Sequence, residues 1–194
     1  MNQKLQAKDF VTVGVFTAIL FVVCFAVSML GFIPVFIPLL TVIVPLIGGI
    51  PFMLYTTKAQ KFGMTTTMGL LVGLINGLLG HGIWAFLIGP VCGLIADLIM
   101  KSGAYKSSKK NILGCGIFFG WVIGNFMPIF LAREQYHEQL VQGGYGLEYA
   151  DALMKMVPDW SLIPLTITAI VFGILGGLLG KAMLKKHFKR AGIV

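Results

Sequence analysis

Residues 10–30 read FVTVGVFTAILFVVCFAVSML, and this stretch decides the class of the fold. It contains no charged side chain, whereas the residues before it include Lys4, Lys8 and Asp9. A helix needs about 20 apolar residues to cross the hydrocarbon core of a bilayer. The run is too long for the apolar core of a signal peptide, and no small-residue cleavage site follows it. We therefore predict that residues 10–30 form a retained membrane-spanning helix.

Further apolar segments follow along the chain. They cover residues 35–55, 62–79, 83–100, 112–131 and 160–184. With 57% hydrophobic and 11% charged residues, the chain has too little charge to cover a soluble domain, in which about a quarter of the residues are charged. We therefore predict an all-α integral membrane protein, with six transmembrane helices in one compact bundle that forms a single domain over residues 1–194.

Two segments contain breaks. Residues 35–55 include Pro38, Pro45 and Pro51, so this helix is expected to be kinked or to begin with a non-helical stretch. The turn Gly80-His81-Gly82 leaves very little chain between the third and fourth segments. These two segments are therefore predicted to form a tight helical hairpin.

The basic residues are concentrated between the apolar segments. Thirteen of the 15 fall on one side of a six-span arrangement: Lys4 and Lys8; Lys58 and Lys61; Lys101, Lys106, Lys109 and Lys110; Lys181, Lys185, Lys186, Lys189 and Arg190. Cytoplasmic loops of membrane proteins carry such an excess. We therefore predict that both termini are cytoplasmic. The same placement makes lipid headgroups, and not nucleic acid, the expected partner of the net charge of +8.

The long loop over residues 132–159 falls on the opposite, outer side. It holds two basic and five acidic residues, so its net charge is −3. A loop of this length in a compact protein is more often functional than idle. Within it, residues 148–157 have helix-forming character and are expected to lie on the membrane surface.

Glycines recur at four-residue spacing in the third to sixth spans. They are Gly69, Gly73 and Gly77; Gly89 and Gly93; Gly116, Gly120 and Gly124; Gly173 and Gly177; and Gly176 and Gly180. Residues four apart share a helix face, and small residues there let two helices approach closely, so these glycines are expected to pack the bundle internally. In the first span, Gly14, Ala18, Val22 and Ala26 form a similar stripe. That stripe is compatible either with internal packing or with docking of another membrane subunit.

Several polar and aromatic residues are predicted to lie at the outer ends of the helices or in the outer loop. They are Asn76, His81, Trp84, Asn125, Arg133, Glu134, Tyr145 and Trp160. Some have an ordinary explanation, because tryptophans favour the membrane interface and a histidine suits a solvated turn. Together they predict an outward-facing pocket for a small molecule, with aromatic walls and a few polar anchors. Arg133 would suit an anionic ligand, whereas Glu134 would suit a cationic one.

Catalytic signatures are absent from the sequence. It contains no GxSxG, HExxH or GxxxxGK[ST] motif, and Cys24, Cys92 and Cys115 lack metal-ligand spacing. We predict no catalytic residue, no metal site and no cofactor. Asp97 is the sole acid well inside a predicted span, so ion-coupled transport and intramembrane proteolysis are disfavoured. Asp97 is expected to pair with Lys101, four residues further along the helix.

Short stretches spread over nearly the whole chain carry a family resemblance. They are GFIP (31–34), GGIPFM (48–53), KFG (61–63), GHG (80–82), GLIADLI (93–99), GYG (144–146) with YAD (149–151), and GGLLG (176–180). In these stretches the chain resembles the substrate-binding S components of energy-coupling factor (ECF) transporters, and in particular the MptD or Trep_Strep family.

The resemblance implies a function. S components bind a vitamin or another micronutrient outside the cell and deliver it inward together with a transmembrane coupling protein and two ATPase subunits, in a bacterial plasma membrane. Their first span commonly docks on the coupling protein through an AxxxA pattern, for which this chain has Gly14 and Ala18. The alternatives are a self-sufficient small-solute transporter or channel and, less favoured because catalytic motifs are missing, a membrane enzyme.

Overall fold

The computed structural model describes residues 4–188 of the chain, and within them it is helical and contains no strand. The α-helices are α1 (Ala7–Ser28), α2 (Phe36–Thr56), α3 (Met64–Asn76), α4 (Gly82–Lys101), α5 (Ser108–Phe118), α6 (Val122–Leu131), α7 (Arg133–Gln142), α8 (Leu147–Met156) and α9 (Leu162–Met183). Short 3₁₀ or π-helical turns extend several of them, at Met29–Phe32, Gly77–His81, Phe119–Trp121, Asp159–Ser161 and Leu184–Phe188. The all-α prediction is therefore confirmed for the described residues. Lys189 and Arg190, the last two members of the C-terminal basic cluster, lie outside them.

Among residues 4–188, five segments are long and apolar enough to cross a membrane. They are Ala7–Phe32, Phe36–Thr56, Met64–Lys101, Ser108–Leu131 and Asp159–Lys186. The structure thus contains five candidate membrane-spanning segments, whereas the sequence predicted six spans. The difference lies in Met64–Lys101, which the sequence divided at residues 80–82. Six separate crossings, and cytoplasmic termini, stay predictions.

The segment Met64–Lys101 folds back on itself. Gly80 adopts a φ of +104°, which a residue with a side chain rarely takes, and this reverses the chain between α3 and α4. The two helices then pack with their backbones in contact, since a Cβ atom on Gly69 would lie 2.5 Å from the carbonyl oxygen of Gly89. The predicted hairpin and the internal role of these glycines are therefore present in the structure.

Other helix pairs use glycine in the same way. A Cβ atom at Gly49 of α2 would overlap the backbone of Gly176 in α9, and one at Gly116 of α5 would lie 2.5 Å from the side chain of Ile174. Helix α2 continues through Pro45 and Pro51 without ending at either proline. The segment α5–α6 is the most buried of the candidate spans and lies at the centre of the bundle.

Helix α1 packs against α2 and α3 through one face only. Its buried face includes Val13, Thr17, Leu20 and Cys24. The stripe predicted from the sequence, which we call the α1 stripe and define as Gly14, Ala18, Val22 and Ala26, lies on the exposed face. Open space surrounds Gly14, since a Cβ atom placed there would meet no atom within 4 Å. Within the described chain, the α1 stripe therefore takes no part in internal packing.

One end of the bundle, which we call the basic end, carries the described lysines outside residues 132–159. The side chain of Asp97 is fully buried there and accepts four hydrogen bonds. Its Oδ2 accepts the backbone N–H groups of Gly63 (2.8 Å) and Thr66 (3.1 Å) and the Thr66 hydroxyl (3.0 Å), and its Oδ1 accepts the Tyr105 hydroxyl (2.8 Å). A carboxylate in this position accepts hydrogen bonds from the free N–H groups at the start of α3. Its negative charge also interacts favourably with the positive end of the helix dipole.

The predicted pairing of Asp97 with Lys101 is therefore wrong. The ammonium group of Lys101 lies instead over the ring of Phe62, 4.5 Å from its centroid. The prediction failed because it considered neighbours within one helix, whereas the carboxylate satisfies backbone groups on the neighbouring helix. A separate ion pair, Lys61 Nζ to Asp9 Oδ2 at 2.7 Å, joins the start of α1 to the α2–α3 connection.

The opposite end of the bundle is covered by residues 132–159, which we call the cap. Helix α8 (Leu147–Met156) matches the stretch predicted to be helical, but α7 (Arg133–Gln142) replaces what was expected to be loop. Leu140, Ala150 and Leu153 are buried, so the cap packs on the bundle and not in solvent. Helix formation satisfies the backbone polar groups of this long segment and positions its tyrosines over the bundle.

Candidate functional site

A cavity of about 350 Å³ lies beneath the cap, a size typical of small-molecule sites. Its wall comes from the second half of α1 with the turn that follows, from α2, α3 and α6, and from the cap. None of the residues that line it is an Asp, Glu, Lys or Arg. The cavity is therefore a predominantly apolar chamber at the end of the bundle that lacks the lysine clusters.

The walls of the cavity are largely aromatic and aliphatic. The apolar contributors include Leu20, Phe21, Phe25, Leu40, Val72, Trp121, Phe126 and Ile129. They come from helices that pack closely through small residues: Gly124 of α6, for example, approaches the backbone of Ala85 in α4. Rigid helices therefore hold these rings, an arrangement that suits a flat organic ligand.

A pair of asparagine side chains forms the polar part of the wall. Asn125 Nδ2 on α6 donates to Asn76 Oδ1 on α3 at 2.9 Å, and Asn76 Nδ2 donates to the carbonyl oxygen of Val72 at 2.8 Å. The remaining acceptor of the pair, Asn125 Oδ1, is buried and has no hydrogen-bond partner among residues 4–188. Burying an amide oxygen without a partner costs free energy, so the asparagine pair is only partly satisfied by the described residues.

Trp121 adds a donor to the same wall. It is 5% exposed, and its indole N–H finds no acceptor within the described part of the chain. Trp121 lies four residues before Asn125, at the junction of the turn Phe119–Trp121 with α6, so both side chains belong to one face of a helical segment. Both atoms are buried within the wall, and the described residues leave them without hydrogen-bond partners.

His81 lies on the cavity wall at the turn between α3 and α4. Its Nδ1 is 3.3 Å from the carbonyl oxygen of Asn76. Because a carbonyl oxygen only accepts, the proton of this contact is carried by Nδ1. This hydrogen bond connects the hairpin turn to the asparagine pair and orients the imidazole.

Three tyrosines of the cap close the cavity. The rings of Tyr145 and Tyr149 lie 5.0 Å apart, and the ring of Tyr145 stacks on Phe32 with centroids 6.3 Å apart. Tyr149 donates its hydroxyl to the carbonyl oxygen of Gly31 at 2.6 Å, which ties α8 to the connection between α1 and α2. Burial raises the pKa of Tyr149 to about 12, and it also raises the pKa of Tyr136. These hydroxyls therefore stay protonated at physiological pH.

Of the eight predicted site residues, the structure brings together Asn76, His81, Asn125 and Tyr145 around this cavity. Trp84 and Trp160 are outside its lining and are 37% and 74% exposed. Their exposure fits the interfacial position that was the other explanation for them. Whether any of the eight residues binds a ligand stays a prediction.

Arg133 and Glu134 also lie outside the cavity. Arg133 Nη1 donates to the carbonyl oxygen of Val157 and to Asp159 Oδ1, both at 2.9 Å, and its Nη2 donates to the carbonyl oxygen of Met154. Arg133 therefore fastens the end of α8 to the start of α7. Together with Glu134, it lines a shallow groove on the cap. Neither charge faces the chamber beneath.

Sequence reasoning missed Trp121, Tyr136 and Tyr149. For Trp121 a signal was available, because a tryptophan one turn before Asn125 shares its helix face. For the tyrosines no comparable signal existed, since their positions depend on how the cap folds back. Among the described residues, no group of three or more His, Cys, Asp or Glu side chains is arranged to hold a metal ion.

Comparison with known protein families identifies a match over most of the chain. The model of the family described as hypothetical bacterial integral membrane protein (Trep_Strep) matches residues 7–190. No curated protein and no solved structure shows significant similarity to the chain. The match covers both the bundle and the cap, so the two are parts of one family architecture.

Proposed function

Since this chain belongs to the Trep_Strep family of hypothetical bacterial integral membrane proteins, we propose that it is the substrate-binding S subunit of an ECF-type importer. In this role it captures a vitamin-like solute from outside a bacterial plasma membrane. A transmembrane coupling protein and two ATPase subunits then drive delivery to the cytoplasm. The chain itself is a binding and transport subunit and not an enzyme.

The observation that carries this proposal is the covered cavity beside the asparagine pair. Its volume and predominantly apolar lining, which also includes the polar residues Asn76, His81 and Asn125, suit one small organic molecule. A water-filled pore would need a continuous polar path across the bundle. The basic end is instead packed with buried side chains such as Tyr55, Met100 and Phe118, so a binding chamber fits better than a channel.

The α1 stripe supports a partner in the membrane. Small residues at four-residue spacing allow another helix to approach closely, and here they lie on the exposed face of a peripheral helix. The glycines of α3 to α6 and α9, by contrast, are used within the bundle. A docked coupling protein would give the α1 stripe a contact that it lacks in the isolated chain.

The chemistry of the chain supports a proposal in which energy comes from partner subunits. The sequence has no phosphate-binding loop, and Asp97, the acid buried within the bundle, accepts four hydrogen bonds that fix it in place. A proton-coupled carrier requires an acid that exchanges its proton during transport. Asp97 serves as a structural ligand for the start of α3, so uptake would depend on ATPases supplied by partner subunits.

Co-purification tests the proposal. The full chain, tagged and expressed at low level in its native host, is extracted in mild detergent and its partners are identified by mass spectrometry. We expect a membrane coupling protein and two ATPase subunits in stoichiometric amounts, and native mass spectrometry is expected to find a bound small molecule. Uptake of that molecule into liposomes that contain this chain alone, without ATP, would instead support a self-sufficient transporter and defeat the proposal.

A further inference from the structure

The cavity is bordered in part by residues that are also exposed on the surface of the bundle. Six side chains both line it and are exposed: Phe25, Ser28, Met29, Phe32, Leu79 and Tyr145. Phe32 and Tyr145 stack on each other beneath the cap. The other four belong to the second half of α1, to the turn that follows it and to the turn between α3 and α4. The cavity therefore reaches the side of the bundle at these four residues, which we call the side opening.

Polar groups beside the side opening are bonded within their own helices. The Ser28 hydroxyl donates to the carbonyl oxygen of Cys24 on α1 at 2.8 Å, and His81 Nδ1 donates to the carbonyl oxygen of Asn76 on α3 at 3.3 Å. Helix α1 and the turn between α3 and α4 can therefore move apart without breaking either bond. The cap, by contrast, is fastened to the connection between α1 and α2 by the hydrogen bond of Tyr149.

The end of the α3–α4 hairpin lies beside the second half of α1. The ion pair between Lys61 and Asp9 places the starts of α1 and α3 at the same level, at the basic end. From there, the 13 residues of α3 and the 5 residues of the turn Gly77–His81 reach about 27 Å at 1.5 Å per residue. The 26-residue segment Ala7–Phe32 reaches about 39 Å. The hairpin therefore ends level with the part of α1 that contains Phe25.

The hairpin tip, which we define as residues 77–84, is suited to lipid and not to water. The hydrocarbon core of a bilayer is about 30 Å thick, so a hairpin that reaches about 27 Å from the basic end stops near its far boundary. The tip contains no Asp, Glu, Lys or Arg, and its Leu78 and Ile83 are 79% and 60% exposed. Exposed apolar side chains of this kind mark contact with a membrane. The side opening, which includes Leu79 of the tip, therefore faces lipid.

The lining of the cavity suits an uncharged molecule. It includes no Asp, Glu, Lys or Arg, and Arg133 on the cap is engaged with Asp159. A charged group moved from water into an apolar chamber loses its hydration, and a counter-charge is needed to compensate. Uncharged apolar molecules leave water readily for hydrocarbon. The chamber and the lipid beside its side opening therefore favour the same class of solute.

We propose that the side opening is the entrance of the cavity, and that the substrate is an uncharged, lipid-soluble small molecule that enters from the bilayer near the end opposite the basic end. The inference rests on the proposed function in so far as the cavity is the transport site, and it restricts the class of solute that the importer takes. Phe25 and Leu79, which border the side opening from α1 and from the hairpin tip, control entry. The charged solutes that Arg133 and Glu134 suggested from the sequence are excluded.

Two probes with the same ring skeleton test the substrate class. N-phenyl-1-naphthylamine is uncharged and dissolves in lipid, whereas 8-anilinonaphthalene-1-sulfonate carries one additional sulfonate. Each is titrated into lipid nanodiscs that contain the full chain, and protein-free nanodiscs of the same lipid give the background from partitioning. We expect saturable binding of the uncharged probe, and binding of the sulfonate weaker by about tenfold or more, because its charge would be buried without a counter-charge.

Matched substitutions test the route. Phe25→Ala removes a ring from the side opening and should speed association of the uncharged probe about fivefold, whereas Phe10→Ala, at a similarly exposed residue of α1 outside the cavity lining, should not. Leu79→Phe narrows the opening and should slow association, whereas Leu78→Phe, on the neighbouring residue outside the lining, should not. Rates are measured by stopped-flow energy transfer from tryptophan to the probe. Thermal unfolding shows that each variant is folded.

The depth of the hairpin tip is tested separately. The double variant Trp121→Phe/Trp160→Phe retains Trp84 of the tip as its single tryptophan. Its fluorescence is measured in bilayers whose acyl chains carry bromine atoms, which quench on contact, and in the presence of aqueous acrylamide. We expect strong quenching by the brominated chains and weak quenching by acrylamide.

Several results would overturn the inference. Equal or tighter binding of the sulfonate, or no binding of the uncharged probe, would refute the substrate class. Equal association rates in Phe25→Ala and Phe10→Ala, or quenching of Trp84 by acrylamide and not by the brominated chains, would refute entry from lipid. All these measurements use the chain alone and say nothing about ATPase partners. Failure of co-purification, conversely, would leave the preference between the two probes intact, so the two proposals fail separately.

Discussion

Asn125 Nδ2 donates to Asn76 Oδ1 at 2.9 Å, and this single hydrogen bond joins α6 to α3 across the wall of the cavity. The bond pairs the amide N–H of Asn125 with the side-chain oxygen of Asn76. The side-chain oxygen of Asn125 is left without a partner in the described chain. The pair therefore joins two helices near the cap, and both of its residues contribute to the wall of the chamber.

The asparagine pair should show strong coupling between its members. Asn76→Leu or Asn125→Leu alone leaves a buried amide group without its partner, and each is expected to lower stability by about 1–2 kcal/mol. The double variant removes both polar groups and should lose less than the sum of the single losses. Thermal unfolding in detergent, measured for all four proteins, checks this. Additive losses would show that the hydrogen bond contributes little.

The α1 stripe gives a prediction that separates binding from uptake. Gly14→Leu and Ala18→Leu should each reduce ATP-driven uptake by about tenfold or more, because a bulky side chain prevents close approach of a partner helix. Binding of the solute to the isolated chain should be unchanged, since neither residue lines the cavity. Ala182→Leu, at an exposed alanine at the end of α9, is the matched control. Loss of binding in the stripe variants would contradict the division of roles.

Tyr149 is predicted to hold the cap closed. Tyr149→Phe removes the hydrogen bond to the Gly31 carbonyl, and the loss of one such bond should speed release of the bound solute about fivefold. Tyr145→Phe keeps the ring contact with Phe32 and serves as the control. Release is followed by stopped-flow displacement of labelled solute. Equal release rates in the two variants would show that the hydroxyl does not restrain the cap.

The raised pKa of Tyr149 predicts that the closed cap becomes less stable at alkaline pH. The hydroxyl titrates at 10.0 when solvated and at about 12 in the folded cap, so the folded form binds more protons between these pH values. Stability of the closed cap is therefore complete below pH 10 and falls as pH rises from 10 towards 12. The rate of solute release should be constant up to pH 10 and increase above it. In Tyr149→Phe this increase should be smaller, and an identical increase would contradict the assignment.

Asp97 and Lys101 provide a test of the corrected interaction at the basic end. Asp97→Asn removes a buried charge that accepts four hydrogen bonds and should destabilise the protein by about 2–4 kcal/mol. Lys101→Ala removes only the contact with the Phe62 ring and should cost less than about 1 kcal/mol. Thermal unfolding compares the two variants. Similar losses of stability in the two variants would instead support the pairing of Asp97 with Lys101 that the sequence suggested.

The apolar segments were predictable because a bilayer imposes a length and an apolar composition on each helix, whatever the neighbours are. The close glycine contacts of Gly69 with Gly89 could be anticipated for the same reason, since four-residue spacing marks a face. The pairing of Asp97 could not be anticipated. Its partners Gly63 and Thr66 are more than 30 residues away, on a neighbouring helix.

The candidate site was only partly accessible to sequence reasoning. Charge placement indicated which end of each helix to search, and Asn76, His81 and Asn125 were found in this way. The position of a residue along a helix does not determine the direction in which its side chain points, however. Trp84 was therefore grouped with these residues although it lies outside the cavity. The positions of the cap tyrosines depend on how α7 and α8 fold back over the bundle. No local pattern in the sequence specifies that arrangement.

Helix α1 has a cavity wall on one side and the α1 stripe on the other. Leu20 and Cys24 face the chamber, while Ala18 and Val22 are exposed on the outer face. Only the width of one helix, about 10 Å, separates the two surfaces. Any tilt or rotation that a docked partner imposes on α1 displaces the chamber wall in the same movement. In the proposed importer, α1 would therefore connect the partner directly to the chamber, and a movement driven by ATP hydrolysis would reach the bound solute without passing through the remaining helices.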